Sequence, residues 1–137
     1  MSDWRPSASL DTIAARARLL HQLRDFFAAR NVMEVETPLL AQATVTDPNL
    51  EVFAVSTDVV GTSPYRFLQT SPEFAMKRLL AAGSGDIFQI SKAFRKEESG
   101  RHHNPEFSLL EWYRVHWDHR MLIREVAELI CEILGRT

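Results

Sequence analysis

Between Phe88 and Tyr113, FQISKAFRKEESGRHHNPEFSLLEWY, residue types and spacing suit the binding of a polar, phosphate-bearing ligand. Side chains alternate across a strand. A strand starting at Gln89 turns Gln89, Ser91, Ala93, Arg95 and Glu97 to one face, and Phe88, Ile90 and Phe94 to the other. The first face is small and polar and ends in an arginine and a carboxylate, which makes a floor beneath a polar ligand rather than a core. A second strand, Glu106 to Tyr113, puts Phe107, Leu109, Glu111 and Tyr113 on one face and Ser108, Leu110 and Trp112 on the other. A glutamate buried two residues from a tyrosine calls for a cationic partner, because its ionised form is costly without one. The loop between the strands, residues 98–105, carries Arg101, His102, His103 and Asn104, all donors able to reach phosphate oxygens.

Other elements must hold this hairpin. Apolar residues at Leu10, Ile13, Ala17, Leu20, Leu23 and Phe27 recur at three- and four-residue steps, the pattern of an amphipathic helix, with Asn31 as its stop. A short extended piece, Val32 to Glu36, is closed by Pro38, which cannot donate to a ladder. Gln42 to Leu50 reads as a loop with a turn at Asp47-Pro48-Asn49. Glu51 to Ser56 and Arg66 to Gln69 read as strands joined through Gly61 to Pro64. Thr70-Ser71-Pro72-Glu73 starts a helix, with Ser71 as cap, Pro72 at the first helical position and Glu73 at the positive end. It runs to about Ala82, and Gly83 or Gly85 ends it. A last helix, from a cap at Asp118 to a stop at Gly135, shows Leu122, Val126, Leu129, Ile130 and Ile133 on one face and reads as packing only. The expected fold is α/β (α+β), an antiparallel sheet flanked by helices.

At 137 residues the chain is one domain's worth or less. A formal charge of −2 argues against a free-standing nucleic-acid binder, which usually carries a basic excess. The single cysteine, Cys131, allows no internal disulfide and fits a reducing, cytoplasmic setting. Within the last helical pattern it reads as a small buried hydrophobe. No apolar run approaches the ~20 residues of a membrane span, and MSDWRPSAS has no basic-then-apolar signal.

The hairpin resembles motif 2 of the class II aminoacyl-tRNA synthetases, and its FRKEE…HNPEF…LEWY wording is similar to the lysyl-tRNA synthetases. Phe94-Arg95, Glu97, His103 to Phe107 and Glu111 to Tyr113 stand at the matching spacings. FFAARNVMEVETPLL is similar to class II motif 1, which in that family builds the homodimer interface. The resemblance implies a class II synthetase-like catalytic core over residues 1–137, with motif 1 at about 20–40 and motif 2 at about 86–114. It also implies a reaction, the attack of an amino-acid carboxylate on the α-phosphate of ATP. There the protein holds both substrates in line and neutralises the developing charge. Arg95 is the catalytic candidate, since a guanidinium can bridge the α-phosphate and the attacking carboxylate, at a cost on removal on the order of 3 kcal/mol. Glu97 would accept from the adenine amino group, Phe107 would stack on the ring, and Lys96, His103 and Asn104 would complete the ATP site.

On the amino-acid side, the resemblance gives Ser71, Pro72 and Glu73 to the turn that meets the substrate. Read without the family, the same residues are a helix cap and nothing more. Glu111 bordered by the Tyr113 hydroxyl suits a lysine ammonium, while the alternative is a structural ion pair from Glu111 to Arg114 or Arg120. No protein metal site is expected, because His102 and His103 have no further ligand at suitable spacing. Magnesium enters as the companion of ATP.

Two departures from the lysyl-tRNA synthetases shape the expectation. Those enzymes place an OB-fold anticodon domain before motif 1, which here follows only MSDWRPSAS. WRPSAS and ATVTDPNLEVF resemble instead the elongation factor P lysine ligases, paralogues that keep the core and transfer lysine or (R)-β-lysine to a lysine of elongation factor P. The implied partners are elongation factor P, the amino acid and a second copy of the chain; neither tRNA nor a membrane is expected. Secondly, the Gly-x-Gly-x-x-Arg pattern of motif 3 is absent. The chain is therefore expected to be the amino-terminal part of a catalytic domain, incomplete at the C-terminus, marginally folded through its open sheet edges and inactive alone. A lysyl-tRNA synthetase fragment and a non-catalytic, synthetase-like binding module remain open as alternatives, as does the choice between α-lysine and (R)-β-lysine.

Overall fold

Ser9 starts the first helix: its Oγ accepts the Thr12 N–H at 3.1 Å, satisfying one of the donors that a helix N-terminus leaves unpaired. The computed structural model describes residues 4–57, 63–96, 100–101 and 103–135. Along the chain run α1 (Leu10–Ala28), β1 (Met33–Glu34), β2 (Leu40–Ala41), β3 (Ala54–Ser56), β4 (Tyr65–Leu68), α2 (Glu73–Ala81), β5 (Ile87–Phe94), β6 (Glu106–Tyr113) and α3 (His119–Leu134). The fold is mixed α/β. It falls into two compact units, residues 1–32 with 116–137 and residues 33–115.

The helical unit contains α1 and α3. Asn31, at φ 56°, turns the chain out of α1 in the left-handed region that Asn tolerates. Asp118 caps α3 by accepting the Met121 N–H at 2.9 Å, and Gly135 ends it at φ 63°. Arg30 ties the two helices: its guanidinium lies 3.5 Å from the Phe26 ring centroid, donates to the Phe26 carbonyl and pairs with Glu128 on α3 at 3.4 Å. Leu23, Phe26, Phe27, Val32 and Leu129 are buried. The expected apolar stripe of α3 is only partly used, since Ile130 is 51% and Leu122 37% exposed while Glu125 is buried. Cys131 is exposed, against the expectation that it is buried. It lies about 200° round the helix from Leu129, the apolar residue that α3 buries.

The second unit holds two three-stranded sheets, in the orders β1-β5-β6 and β2-β4-β3. All pairs are antiparallel except β1 with β5, which is parallel and sets Met33 opposite Ile87 and Glu34 opposite Phe88. The extended piece expected over Val32 to Glu36 thus pairs at two residues only. The turn expected at Asp47-Pro48-Asn49 is present, with Asp47 Oδ1 accepting the Asn49 N–H at 2.8 Å. Of the joint expected at Gly61 to Pro64, residues 61 and 62 lie outside the described residues. Pro72, not Ser71, takes the N-cap position of α2, so the helix starts one residue later than expected, and Ser71 Oγ accepts the Glu73 N–H at 3.1 Å.

In the β5–β6 hairpin Ile87 faces Tyr113, Gln89 faces Glu111, Ser91 faces Leu109 and Ala93 faces Phe107. Residues directly opposite in a ladder share a face, so the register assembles the expected floor. β5 ends at Phe94, placing Arg95 just past the strand. Among the described residues no helix is long and apolar enough to cross a membrane.

Candidate active site

Glu111 is the centre of the floor. Its Oε2 accepts the Ser71 hydroxyl at 2.6 Å and its Oε1 accepts the Tyr113 hydroxyl at 2.6 Å. Among the described residues, therefore, the hydrogen-bond partners of this half-buried carboxylate are hydroxyls, not the cation that burial led us to expect. Arg114 pairs with Asp86 at 2.8 Å instead of with Glu111. A carboxylate has more lone-pair sites than two donors fill, so Glu111 keeps capacity for an incoming ammonium. Burial, then the hydrogen bond to Glu111 and the negative charges of Glu111 and Glu73, push the Tyr113 phenol far above its ordinary range. Tyr113 thus stays protonated and keeps donating.

Ser71 reaches Glu111 because the strand β4 delivers it there. Its oxygen has two tasks, donating to Glu111 and accepting the Glu73 N–H at the start of α2. One hydroxyl thus meets both the first N–H of α2 and the floor carboxylate. Pro72 is fully buried behind it. Glu73 forms an ion pair with Lys77 one helical turn on and is half exposed. A cavity of about 80 Å³ beside the turn is lined by Pro38, Ala41, Thr44, Gln69, Ser71 and Phe74, among others.

Arg95 lies between the turn and the hairpin. Its Nε donates to the Thr70 carbonyl at 3.4 Å, and its guanidinium carbon is 5.1 Å from the Phe107 ring centroid. The structure brings Ser71, Glu111 and Tyr113 together, and separately Thr70, Arg95 and Phe107; the Thr70-Ser71 peptide joins the two groups. Other expected ATP-site residues have no hydrogen bond or ion pair to these two groups among the described residues, or lie outside them. Lys96 pairs with Glu51 at 3.4 Å. His103 and Asn104 are exposed, and His103 exchanges backbone hydrogen bonds with Gly100 at 3.1 and 3.2 Å. Glu97 and His102 lie outside the described residues. Among the described residues no three His, Cys, Asp or Glu converge to hold a divalent ion.

The burial of polar side chains at and beside the floor was not expected. Thr37 Oγ1 donates to Gln89 Oε1 at 3.0 Å, with both side chains buried. Gln69 and Thr70 are buried too. The signal was present: Gln69 directly follows the apolar end of β4 and Gln89 interrupts the apolar start of β5, FLQ and FQI, and a buried amide needs partners.

The family model of the class II tRNA synthetases (D, K and N) matches residues 1–137. The chain belongs to the class II tRNA synthetase family. Its α/β fold is that of the synthetase-like catalytic core. The chain is 55% identical over 137 residues to elongation factor P–(R)-β-lysine ligase of Vibrio cholerae, a match covering 97% of this chain and 42% of that protein. It is 58% identical over 135 residues to the ligase of the same name from Pseudoalteromonas translucida, covering 96% and 41%. For that of Erwinia tasmaniensis the identity is 52% over 141 residues, covering 98% and 43%. The chain spans about two fifths of the length of the curated relatives it matches.

Proposed function

We propose that this chain is the amino-terminal part of an elongation factor P lysine ligase, which activates (R)-β-lysine or lysine with ATP and transfers it to a lysine of elongation factor P. One observation carries the reading: Glu111, with a hydroxyl on each oxygen, is a preset anchor for an ammonium in a chain 52–58% identical to relatives that bear this name.

In the first step a carboxylate oxygen of the amino acid attacks the α-phosphorus of ATP. The new P–O bond forms as the bond to the bridging oxygen breaks, and pyrophosphate leaves. Glu111 and Tyr113 hold the distant ammonium by charge-assisted hydrogen bonds, with Ser71 fixing the carboxylate. Arg95 meets both the substrate carboxylate and the α-phosphate and neutralises the charge that builds there, a role supported by its fixed orientation beside Thr70 and Phe107. Phe107 offers a face to the adenine, and Glu97 accepts from the adenine amino group. His103 and Asn104 reach the outer phosphates from the loop, and Lys96 joins them once its pair with Glu51 opens. Pro72 and Glu73 complete the wall on the amino-acid side. In the second step the ε-amine of the acceptor lysine attacks the adenylate carbonyl; an amide forms and AMP leaves. Magnesium arrives with ATP. The motif-1 segment of α1 and β1 pairs with a second copy of the chain, and the acceptor, a translation factor, places the reaction in the cytoplasm.

The test is the intact mass of elongation factor P after incubation with ATP, magnesium and either lysine isomer. The enzyme is the full-length gene product that carries this chain. One added lysyl unit, lost with Arg95→Ala, is the expected result. An unmodified factor in every tube overturns the reading.

A further inference from the structure

Gln69, 8% exposed, closes the edge of β5 that β1 leaves open. β1 covers β5 only at Ile87 and Phe88. Further along the same strand, the Phe94 N–H and the Lys92 carbonyl turn away from β6, and an unpaired backbone group is costly where it is buried. Gln69 satisfies both. Its backbone carbonyl accepts the Phe94 N–H at 2.9 Å. Its Nε2 donates to the Lys92 carbonyl at 2.8 Å and to Ser91 Oγ at 3.3 Å. Its own N–H donates to the Leu39 carbonyl at 2.9 Å. The side-chain amide thus serves as an extra rung of the β5 ladder and fastens one sheet to the other. Its Oε1 is buried without a hydrogen-bond partner among the described residues, so the amide is oriented by its nitrogen. Directly after Gln69 come Thr70, whose carbonyl accepts from Arg95, and Ser71, which donates to Glu111.

We infer that Gln69 is a positioning residue for adenylate formation: its amide nitrogen on the Lys92 carbonyl sets the separation between the Ser71 turn and Arg95. This rests on the ligase reading above. The amine end of the amino acid is held at Glu111 and its carboxylate at Arg95, so attack in line requires both to be placed at once. A misplacement of ~1 Å costs about 10²-fold in such a reaction. Gln69 acts through Thr70, Ser71 and Arg95 rather than on a substrate.

Two variants of the full-length gene product separate this from simple packing. Gln69→Met keeps the length and removes the donor. Gln69→Glu keeps the shape and becomes a donor only when protonated, which burial favours at higher pH than usual for a carboxyl. ATP–pyrophosphate exchange is measured across pH. The expected result for Gln69→Met is a fall in kcat of about 10²-fold with KM for ATP little changed. Gln69→Glu should be as slow at alkaline pH and gain on wild type as pH falls. A Met variant with wild-type kcat, or a Glu variant whose activity relative to wild type is flat with pH, overturns the inference. If Gln69→Met fails to fold, the Glu profile alone decides. If the wild-type protein forms no adenylate, the ligase reading fails, and hydrogen exchange at the Phe94 and Arg95 amides judges Gln69. Faster exchange in Gln69→Glu at alkaline pH supports the brace, and unchanged exchange removes it.

Discussion

Ser71 and Glu111, forty residues apart, share a 2.6 Å hydrogen bond from hydroxyl to carboxylate. It joins the turn before α2 to the floor of the hairpin, so a side chain that meets the start of a helix also shapes the hairpin face. A hydrogen bond to a charged group contributes roughly 1.5–3 kcal/mol. On the ligase reading, Ser71→Ala should therefore weaken lysine binding to the full-length protein by about ten- to a hundredfold, and Glu111→Gln should weaken it further by removing the proposed anchor. In the double variant the losses should fall short of their sum by about 0.5–3 kcal/mol, the coupling expected of residues in contact. Calorimetric titration with lysine measures it. Strict additivity would mean that the bond does nothing in solution.

Tyr113 makes a pH prediction of definite sign. Burial first, then Glu111 and Glu73, favour its neutral form and raise its pKa in the fold. The resulting stability is full below about pH 10, where an unfolded tyrosine ionises, and is lost as pH rises through the higher folded value. The chain has two tyrosines, so Tyr65→Phe leaves Tyr113 alone to report. Its phenolate absorbance should stay silent through pH ~10 while the fold persists. Adding Glu111→Gln should lower the onset without restoring the ordinary value, because burial is the larger cause. Phenolate appearing at about pH 10 in the folded Tyr65→Phe protein would contradict the assignment.

The hairpin was legible because its information is local. Alternation marked Glu106–Tyr113 to the residue, and cap chemistry marked both Asp118 and Gly135. What escaped depends on partners distant in sequence. β2 is two residues long and is defined by pairing with β4, so no period could reveal it. β1 reads as an extended piece, but its parallel pairing with β5 is invisible without the crossover that brings them together. The charge on Glu111 suggested a nearby cation; two hydroxyls, one of them forty residues away, answered part of that need. Cys131 failed for a related reason. An apolar stripe shows which residues can be buried, whereas the neighbouring helix decides which are.

Asp86 and Arg114 bind the open end of the hairpin. The carboxylate pairs with the guanidinium at 2.8 Å and accepts the Val115 N–H at 2.6 Å, just beyond Tyr113. The Arg114 side chain is 7% exposed and Asp86 27%. Removing one member of a fully buried pair costs about 3–5 kcal/mol, and the partial exposure of Asp86 lowers the expectation for Arg114→Ala to about 2 kcal/mol. Urea unfolding of the full-length protein tests this through a lower midpoint at unchanged slope. Asp86→Asn, whose single amide oxygen can serve only one of these two donors, should lower the midpoint as well. An Arg114→Ala midpoint equal to wild type would show that the pair does not hold the hairpin.

Arg95 should not tolerate lysine. Its Nε donates to the Thr70 carbonyl while its guanidinium lies beside the Phe107 ring, so the side chain is already oriented before any substrate arrives. Lysine carries charge but has no donor at the Nε position and no planar fork to span two anions. On the ligase reading, Arg95→Ala should lower kcat for adenylate formation by about 3 kcal/mol, the loss typical of one transition-state donor. Arg95→Lys should recover less than half of that in free energy. Phe107→Leu should act mainly on ATP binding, by about 1 kcal/mol, since it removes an aromatic face and leaves the reacting atoms alone. Steady-state exchange kinetics with kcat and KM resolved separate these effects. A lysine variant close to wild type would mean that point charge suffices at Arg95, and its fixed geometry would then have no part in the chemistry.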